Sequence, residues 1–155
     1  GAAAAEQANA RFAADGGTGV VLRFAQFYAD DASHTVAFNK LLRRRLNPFI
    51  GPGENYMSSI HAEDAGAAVV AALDAPTGIY NVGDDEPVTR REAGRIAASR
   101  LGKGRPFTTP GWALKLMGDA PLLAKSLRIS NMAFKAATGW APSHPSIRDA
   151  WPVTA

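Results

Sequence analysis

The chain has 155 residues, and 17 Lys and Arg against 14 Asp and Glu leave a formal net charge of +3. With 46% hydrophobic and 20% charged residues it can bury roughly 70% of its unfolded surface as one domain, which excludes disorder as the main state. The absence of cysteine removes disulfides, thiolate metal sites and cysteine nucleophiles together, and no apolar run or signal-like start suggests a membrane partner, so a cytoplasmic protein is expected.

Residues 2–14 (AAAAEQANARFAA) are strong helix formers, and Gly16 and Gly17 follow where a left-handed cap belongs. Residues 19–25 (GVVLRFA) form a nearly continuous apolar run, the pattern of a parallel strand covered on both faces. The spacing of Val36, Phe38, Leu41, Leu42 and Leu46 predicts a helix over 35–46, ended by Pro48. Arg43, Arg44 and Arg45 are the one dense basic run behind a pI of about 9.5. No aromatic residues interleave with them as a base-stacking platform requires. They read as a solvated helix face, with an anionic small molecule as the alternative and no nucleic acid as partner.

Residues 48–59 (PFIGPGENYMSS) read as an exposed, shaped loop of the kind that binds ligands. Residues 62–74 form an Ala- and Val-rich helix on which Ala65, Ala68 and Ala72 permit close approach to a sheet, while Glu63 and Asp64 complement the positive helix start. Residues 78–82 (GIYNV) are a second buried strand. The acidic turn 83–86 leads to Thr89 and Glu92, the two ends of a capping box, for a helix to about Leu101 with Gly102 beyond it. From Arg105 onward, Pro106, Pro110, Pro121, Pro142, Pro145 and Pro152 divide short helical pieces. Ser130 is the expected N-cap of a helix over 131–137, and Gly139 its stop. This element order is α/β.

Three searches for catalytic sets come back empty. Gly16, Gly17 and Gly19 precede a strand, whereas a phosphate-cradling loop follows one and opens a helix. Tyr28, Tyr56 and Tyr80 are followed four residues later by Ala32, Ile60 and Asp84, so no tyrosine stands one helical turn before a lysine. His34, His61 and His144 are widely separated without metal-ligand spacing, so no metal site is expected from the sequence.

Four segments carry a resemblance. Residues 22–30 (LRFAQFYAD), 51–64 (GPGENYMSSIHAED), 78–89 (GIYNVGDDEPVT) and 128–145 (RISNMAFKAATGWAPSHP) are similar, in order and near spacing, to motifs of the NAD-dependent epimerase/dehydratase family, the extended short-chain dehydrogenase/reductases. The resemblance covers nearly the whole chain and implies the C-terminal half of such an enzyme: the last part of a Rossmann-type doubly wound fold plus a small mixed α/β substrate-binding domain. Residues 1–34 would supply the last helix and strand of the nucleotide-binding fold, and residues 35–155 the substrate-binding part, with 78–88 returning to the sheet. The family's glycine-rich loop and Tyr-x-x-x-Lys helix would precede this chain, the lysine near Ala2 and the tyrosine before Gly1. No catalytic residue is therefore expected here. NAD or NADP would serve the complete enzyme and bind this chain alone weakly or not at all. The missing N-terminal Rossmann half, a small-molecule substrate and further copies in a homo-oligomer are the expected partners.

Two departures bear on substrate. Met57 stands where nucleotide-sugar enzymes of the family commonly place an arginine, and Phe24, Gln26 and Ala29 replace the proline, asparagine and glycine of the first motif. Phe24, Gln26 and Phe27 lie at the carboxyl end of a strand, where open α/β sheets bind ligands, and are the candidate cofactor contacts, with plain packing as the competing reading. Tyr28, His34, Tyr56, Ser58, His61 and Arg128 are the candidate substrate residues. Asp64 reads as a helix-start charge, and Trp140 and Trp151 as packing. The implied function is NAD(P)-dependent epimerisation, dehydration or reduction of a hydroxyl- or carbonyl-bearing small molecule. A non-catalytic binding or regulatory module is the alternative.

Overall fold

The computed structural model describes residues 2–108 and 125–153; Pro110 and Pro121 lie outside the described residues. Helix α1 (Ala2–Ala14) is followed by β1 (Val20–Phe24) and β2 (Gln26–Tyr28), then α2 (Ser33–Arg43), β3 (Tyr56–Met57) and β4 (Ser59–His61). Helix α3 (Ala62–Ala71) runs into a 3-10 turn (Ala72–Asp74) and is followed by β5 (Gly78–Val82), β6 (Val88–Thr89), α4 (Arg90–Arg100), α5 (Met132–Thr138) and α6 (Ile147–Ala150).

Strand β1 pairs in parallel with β5, from Val20 opposite Gly78 to Phe24 opposite Val82. Strand β2 pairs in parallel with β4, Gln26 opposite Ser59 and Tyr28 opposite His61, and β3 pairs antiparallel with β6. The change of partner falls on one peptide: Ala25 N–H donates to the Val82 carbonyl at 2.9 Å, and Gln26 N–H to the Ser58 carbonyl at 3.1 Å. Where a continuous extended segment leaves one neighbour for another, the neighbours must diverge, and a crevice opens between them.

Two apolar clusters hold these pairs. Tyr28, Leu42, Phe49, Met57, Val88, Ile96, Ile147 and Trp151 fill the space among α2, α4 and α6. Ile60, Ala65, Ala68, Val82, Phe134 and Trp140 fill that among α3, β5 and α5. Along β1 and β5, Leu22, Phe24, Tyr80 and Val82 turn to the second cluster, as the two-residue period of a strand dictates. The other face is covered only in part: α1 reaches it through Glu6, paired to Arg23 at 2.7 Å, while Ile79 is 51% exposed. The expectation of strands covered on both faces thus fails. A two-stranded ladder has too few neighbours to bury both sides.

Other local expectations shift for tertiary reasons. Helix α2 stops at Arg43, before Leu46 and Pro48, because Arg45 turns left-handed at φ 61° and Leu46 bridges to Phe107. The arginine run is therefore not one helix face: Arg43 is helical, Arg44 caps, and the Arg45 guanidinium lies 5.6 Å from the Phe107 ring centre. The segment 48–59 is not an exposed loop either, since Phe49, Met57, Ser58 and Ser59 are buried and β3 and β4 begin within it. Thr89 caps α4 by accepting from Glu92 N–H at 3.2 Å. Helix α5 starts one residue later than expected, at Met132, with Asn131 rather than Ser130 in the cap position. Its stop, Gly139, adopts φ 71°, a conformation that costs a side chain-bearing residue. Gly94 is needed for a different reason: a Cβ there would meet Asn47 Oδ1 at 2.5 Å.

Trp151 joins the first cluster to the chain end. Its indole N–H donates to Asn39 Oδ1 at 3.0 Å, its ring stacks on Tyr28 with centroids 5.9 Å apart, and Asn39 Nδ2 donates to the Pro152 carbonyl at 3.1 Å. Trp151→Ala is expected to cost on the order of 3–5 kcal/mol through the cavity it leaves. Asn39→Ala should cost about 1–3 kcal/mol through the buried groups it orphans. Urea unfolding followed by far-ultraviolet circular dichroism measures both.

Candidate functional site

The crevice at the β1–β2 partner exchange has a volume of about 260 Å³ and is lined by Phe24, Gln26, Ser58, Asn81, Arg90 and Ile129 among others. Gln26 and Arg90 also border a smaller cleft of about 190 Å³ against Phe38 and Phe49. Ile129 is shared with a wider cleft of about 600 Å³, whose rim carries Asp84, Asp85, Arg128, Asn131 and Lys135. The carboxyl end of β1 therefore opens onto a run of adjoining concavities.

The walls are set by hydrogen bonds from the C-terminal segment. Ser58 Oγ donates to the Leu127 carbonyl at 3.3 Å and accepts from Ile129 N–H at 3.1 Å, while Tyr56 N–H donates to Ser126 Oγ at 3.0 Å and the Tyr56 carbonyl accepts from Leu127 N–H at 2.9 Å. This lays residues 126–129 along β3 and puts the Arg128 guanidinium over the Tyr56 ring, 5.1 Å from its centre. Arg90, only 7% exposed, donates from Nη2 to the Lys125 carbonyl at 3.3 Å. Burial lowers its pKa from the ordinary guanidinium value.

The wider cleft holds two aspartates of opposite character. Asp84 is buried, accepts from Ser59 Oγ at 2.7 Å through Oδ2, and has no hydrogen-bond partner for Oδ1 among the described residues. Burial pushes its pKa up to about 7; the Ser59 bond opposes this, and the charges of Asp85 and Glu86 add to it. At Asp85 burial also works against the charge, but bonds from Asn131 at 2.8 Å and Lys135 at 2.9 Å prevail and hold the carboxyl below its usual range.

The sequence candidates separate on this geometry. Phe24, Gln26 and Ser58 come together in the crevice, and Arg128 reaches the adjoining cleft with Tyr56 beneath it. Phe27, 42% exposed, packs beside Phe24 with ring centres 5.3 Å apart. Tyr28 lines none of the described clefts: it is a core ring between His61 and Trp151, and burial drives its pKa well above the ordinary phenol value. His34 is tied by Nε2 to the Phe27 carbonyl at 2.8 Å, and His61 is buried against His144 with ring centres 4.0 Å apart. Asp64 is not simply a helix-start charge: its carboxylate accepts from the backbone N–H groups of Ser143 at 2.7 Å and His144 at 2.9 Å. Arg90 and Asp84 were hidden in the sequence, one within a capping pattern and the other within an acidic turn. Neither motif tells which member turns inward.

The architecture is α/β with parallel strand pairs, of the Rossmann-like type built by NAD-dependent epimerase/dehydratase proteins. A 3-diazoavenalumate denitrifying reductase of a Streptomyces species is 33% identical over 137 residues, spanning 84% of this chain and 45% of that protein. A human epimerase family protein solved with NADPH superposes with a TM-score of 0.76 at 21% identity, covering 87% of this chain and 47% of the other. The UDP-glucose 4-epimerase of Thermotoga maritima, solved with UDP-glucose, gives 0.71 at 19% identity over 97% of this chain and 48% of its own. A dTDP-glucose 4,6-dehydratase of Bacillus anthracis, in complex with NAD, gives 0.70 at 17% over 96% and 47%. No family model matches the chain. The resemblance carried by the four segments holds at the level of fold, and the chain spans about half the length of the relatives it matches.

The raised pKa of Asp84 has a stability consequence. The folded state keeps a proton that the unfolded state releases near pH 4, so the contribution of Asp84 to stability is full below that pH and falls as pH rises toward about 7. Asp84→Asn is expected to flatten this decline and to exceed the parent in stability at pH 8 by about 2–4 kcal/mol, as urea titrations at pH 5 and 8 measure.

Proposed function

We propose that this chain is the substrate-side, C-terminal half of an NAD(P)-dependent epimerase, dehydratase or reductase that acts on a hydroxyl- or carbonyl-bearing small molecule. The observation that carries this reading is the crevice at the carboxyl end of β1, where Phe24 and Gln26 meet the buried cation Arg90 and adjoin the cleft of Arg128. Its apolar wall and the side-chain amides of Gln26 and Asn81 suit one face of a nicotinamide ring and its carboxamide. The sequence has no glycine-rich helix start for the pyrophosphate, so the dinucleotide's main anchor belongs to the other half of the protein. When bound, the nicotinamide supplies hydride transfer.

In this reading Phe24, Gln26 and Phe27 border the cofactor, and Arg128, backed by Tyr56, meets an anionic group of the substrate. Ser58 acts by positioning, because its hydroxyl is spent on residues 127 and 129. Met57, 4% exposed, offers no guanidinium for a diphosphate, which weighs against a nucleotide-sugar and toward a smaller anion. The uncovered part of the β1–β5 face at Ile79 and the exposed Val69, Val70 and Leu73 are the surface left for the other half or for a second copy.

Fluorescence titration of the chain with NADH and NADPH is expected to show no saturation in the micromolar range. A micromolar dissociation constant would place a phosphate anchor in this chain and overturn the division of labour. Light scattering of the purified chain should give a dimer or larger species. A strictly monomeric species that unfolds cooperatively would favour the autonomous binding module instead.

A further inference from the structure

Away from the clefts, the fold brings together two histidines and two carboxylates that the sequence keeps apart. His61 ends β4, Glu63 and Asp64 open α3, and His144 lies between α5 and α6. His61 Nδ1 is 3.9 Å and His144 Nε2 4.0 Å from Glu63 Oε2, and these three donor atoms all lie within 4.8 Å of one another. We propose that His61, Glu63 and His144 form a divalent-metal site for zinc, with Asp64 as the outer carboxylate that orients it. This inference is independent of the function proposed above.

Three observations support it. First, Asp64 decides which nitrogen of His144 is free. Its Oδ2 accepts from the His144 backbone N–H at 2.9 Å and lies 3.1 Å from ring Nδ1. A carboxylate in that position holds the proton on Nδ1, so Nε2 presents its lone pair toward Glu63. This carboxylate–histidine relay is how metal-bound imidazoles are oriented and made more basic. Second, the His61 side chain is only 9% exposed, and its Nδ1 has no hydrogen-bond partner among the described residues although it faces the cluster. A buried ring nitrogen without a partner is costly, and coordination would satisfy it. Third, the donor set is two imidazoles and one carboxylate, which suits zinc and its transition-metal neighbours, whereas magnesium and calcium require oxygen cages.

The distances fit an ion-free site. Tetrahedral ligands about 2.0–2.1 Å from zinc stand about 3.4 Å apart. Each His–Glu pair here must close by roughly half an ångström, which the 79% exposed Glu63 side chain can supply. The two imidazole nitrogens, within 4.8 Å of each other, must approach as well, a movement that falls to the His144 ring, 30% exposed against 9% for His61. The solvent side of Glu63 leaves the fourth position to water. An ion held there would tie the start of α3 to residue 144, reinforcing the link that Asp64 already makes. It lies outside the candidate substrate clefts, so the role assigned to it is structural.

The test is calorimetric titration of the metal-stripped chain with zinc sulfate, with cobalt(II) absorption as a probe of tetrahedral nitrogen and oxygen ligation. Binding of one equivalent with a micromolar or tighter dissociation constant is expected, together with a rise in thermal midpoint that magnesium does not reproduce. His144→Gln should abolish saturable binding. Because that variant could disturb the Asp64 contact, Glu63→Gln is the second arm: its side chain is exposed, the fold is checked by circular dichroism, and zinc affinity should fall at least about tenfold. No saturable zinc binding in the submillimolar range would overturn the proposal. So would binding left unchanged in Glu63→Gln, which would place the ion elsewhere, for example at His34.

Discussion

A buried carboxylate holds this molecule together. Asp64 is 2% exposed, and removing a charge from water at that depth is costly unless donors replace the lost hydration. Two consecutive backbone N–H groups, Ser143 and His144, do so, with the His144 ring as a third contact. Charge-assisted bonds of this kind contribute about 1.5–3 kcal/mol each, enough to dock an otherwise irregular stretch of chain. With residues 143–144 held at the start of α3, Trp140 on one side reaches the second apolar cluster, and Ile147 and Trp151 on the other reach the first. One side chain thus couples the two cores.

The same logic recurs along the C-terminal stretch. Asn131 donates to the Gly83 carbonyl and to Asp85, and Arg148 bridges Glu86 and Glu92. Ser58 clasps residues 127 and 129. Each tie joins a late residue to the end of an earlier strand or the start of a helix. The crevice and the wider cleft are therefore walled on one side by earlier elements and on the other by the late segment, so their shape depends on polar contacts rather than on the core alone. A fold shared with epimerases, dehydratases and reductases leaves that wall free to vary.

The partner exchange at Ala25 gives the site its place. Parallel pairing with β5 ends and pairing with β4 begins within one residue, and the divergence of those neighbours is filled only in part by Gly83, whose Cβ position would touch Ala25, Ser59 and Ile129. Arg90 enters from the start of α4, a helix aimed by the Thr89 cap and pressed close to Asn47 through Gly94. The cation is brought to the crevice by its place at the start of this helix, and the residues packed around it bury it.

Much of the secondary structure was legible in the sequence, because local rules governed it. The Ala-rich start, the apolar run at 20–22, the Thr89–Glu92 box and Gly139 act through propensity, period and backbone freedom within a few residues, and elements stand close to where those signals put them. The family motifs likewise carried the fold. Tertiary contacts decided what no short window contains. Helix α2 ended early because Phe107, distant in sequence, paired with Arg45 and Asn47. Asp64 turned from a helix-start charge into a clamp because residues 143–144 came to it. His61 and His144 met because β4 and the segment after α5 share one end of the fold. Tyr28 became a core ring and Asp84 a buried acid because burial is a property of everything packed around a residue, and a linear pattern records only the neighbours along the chain.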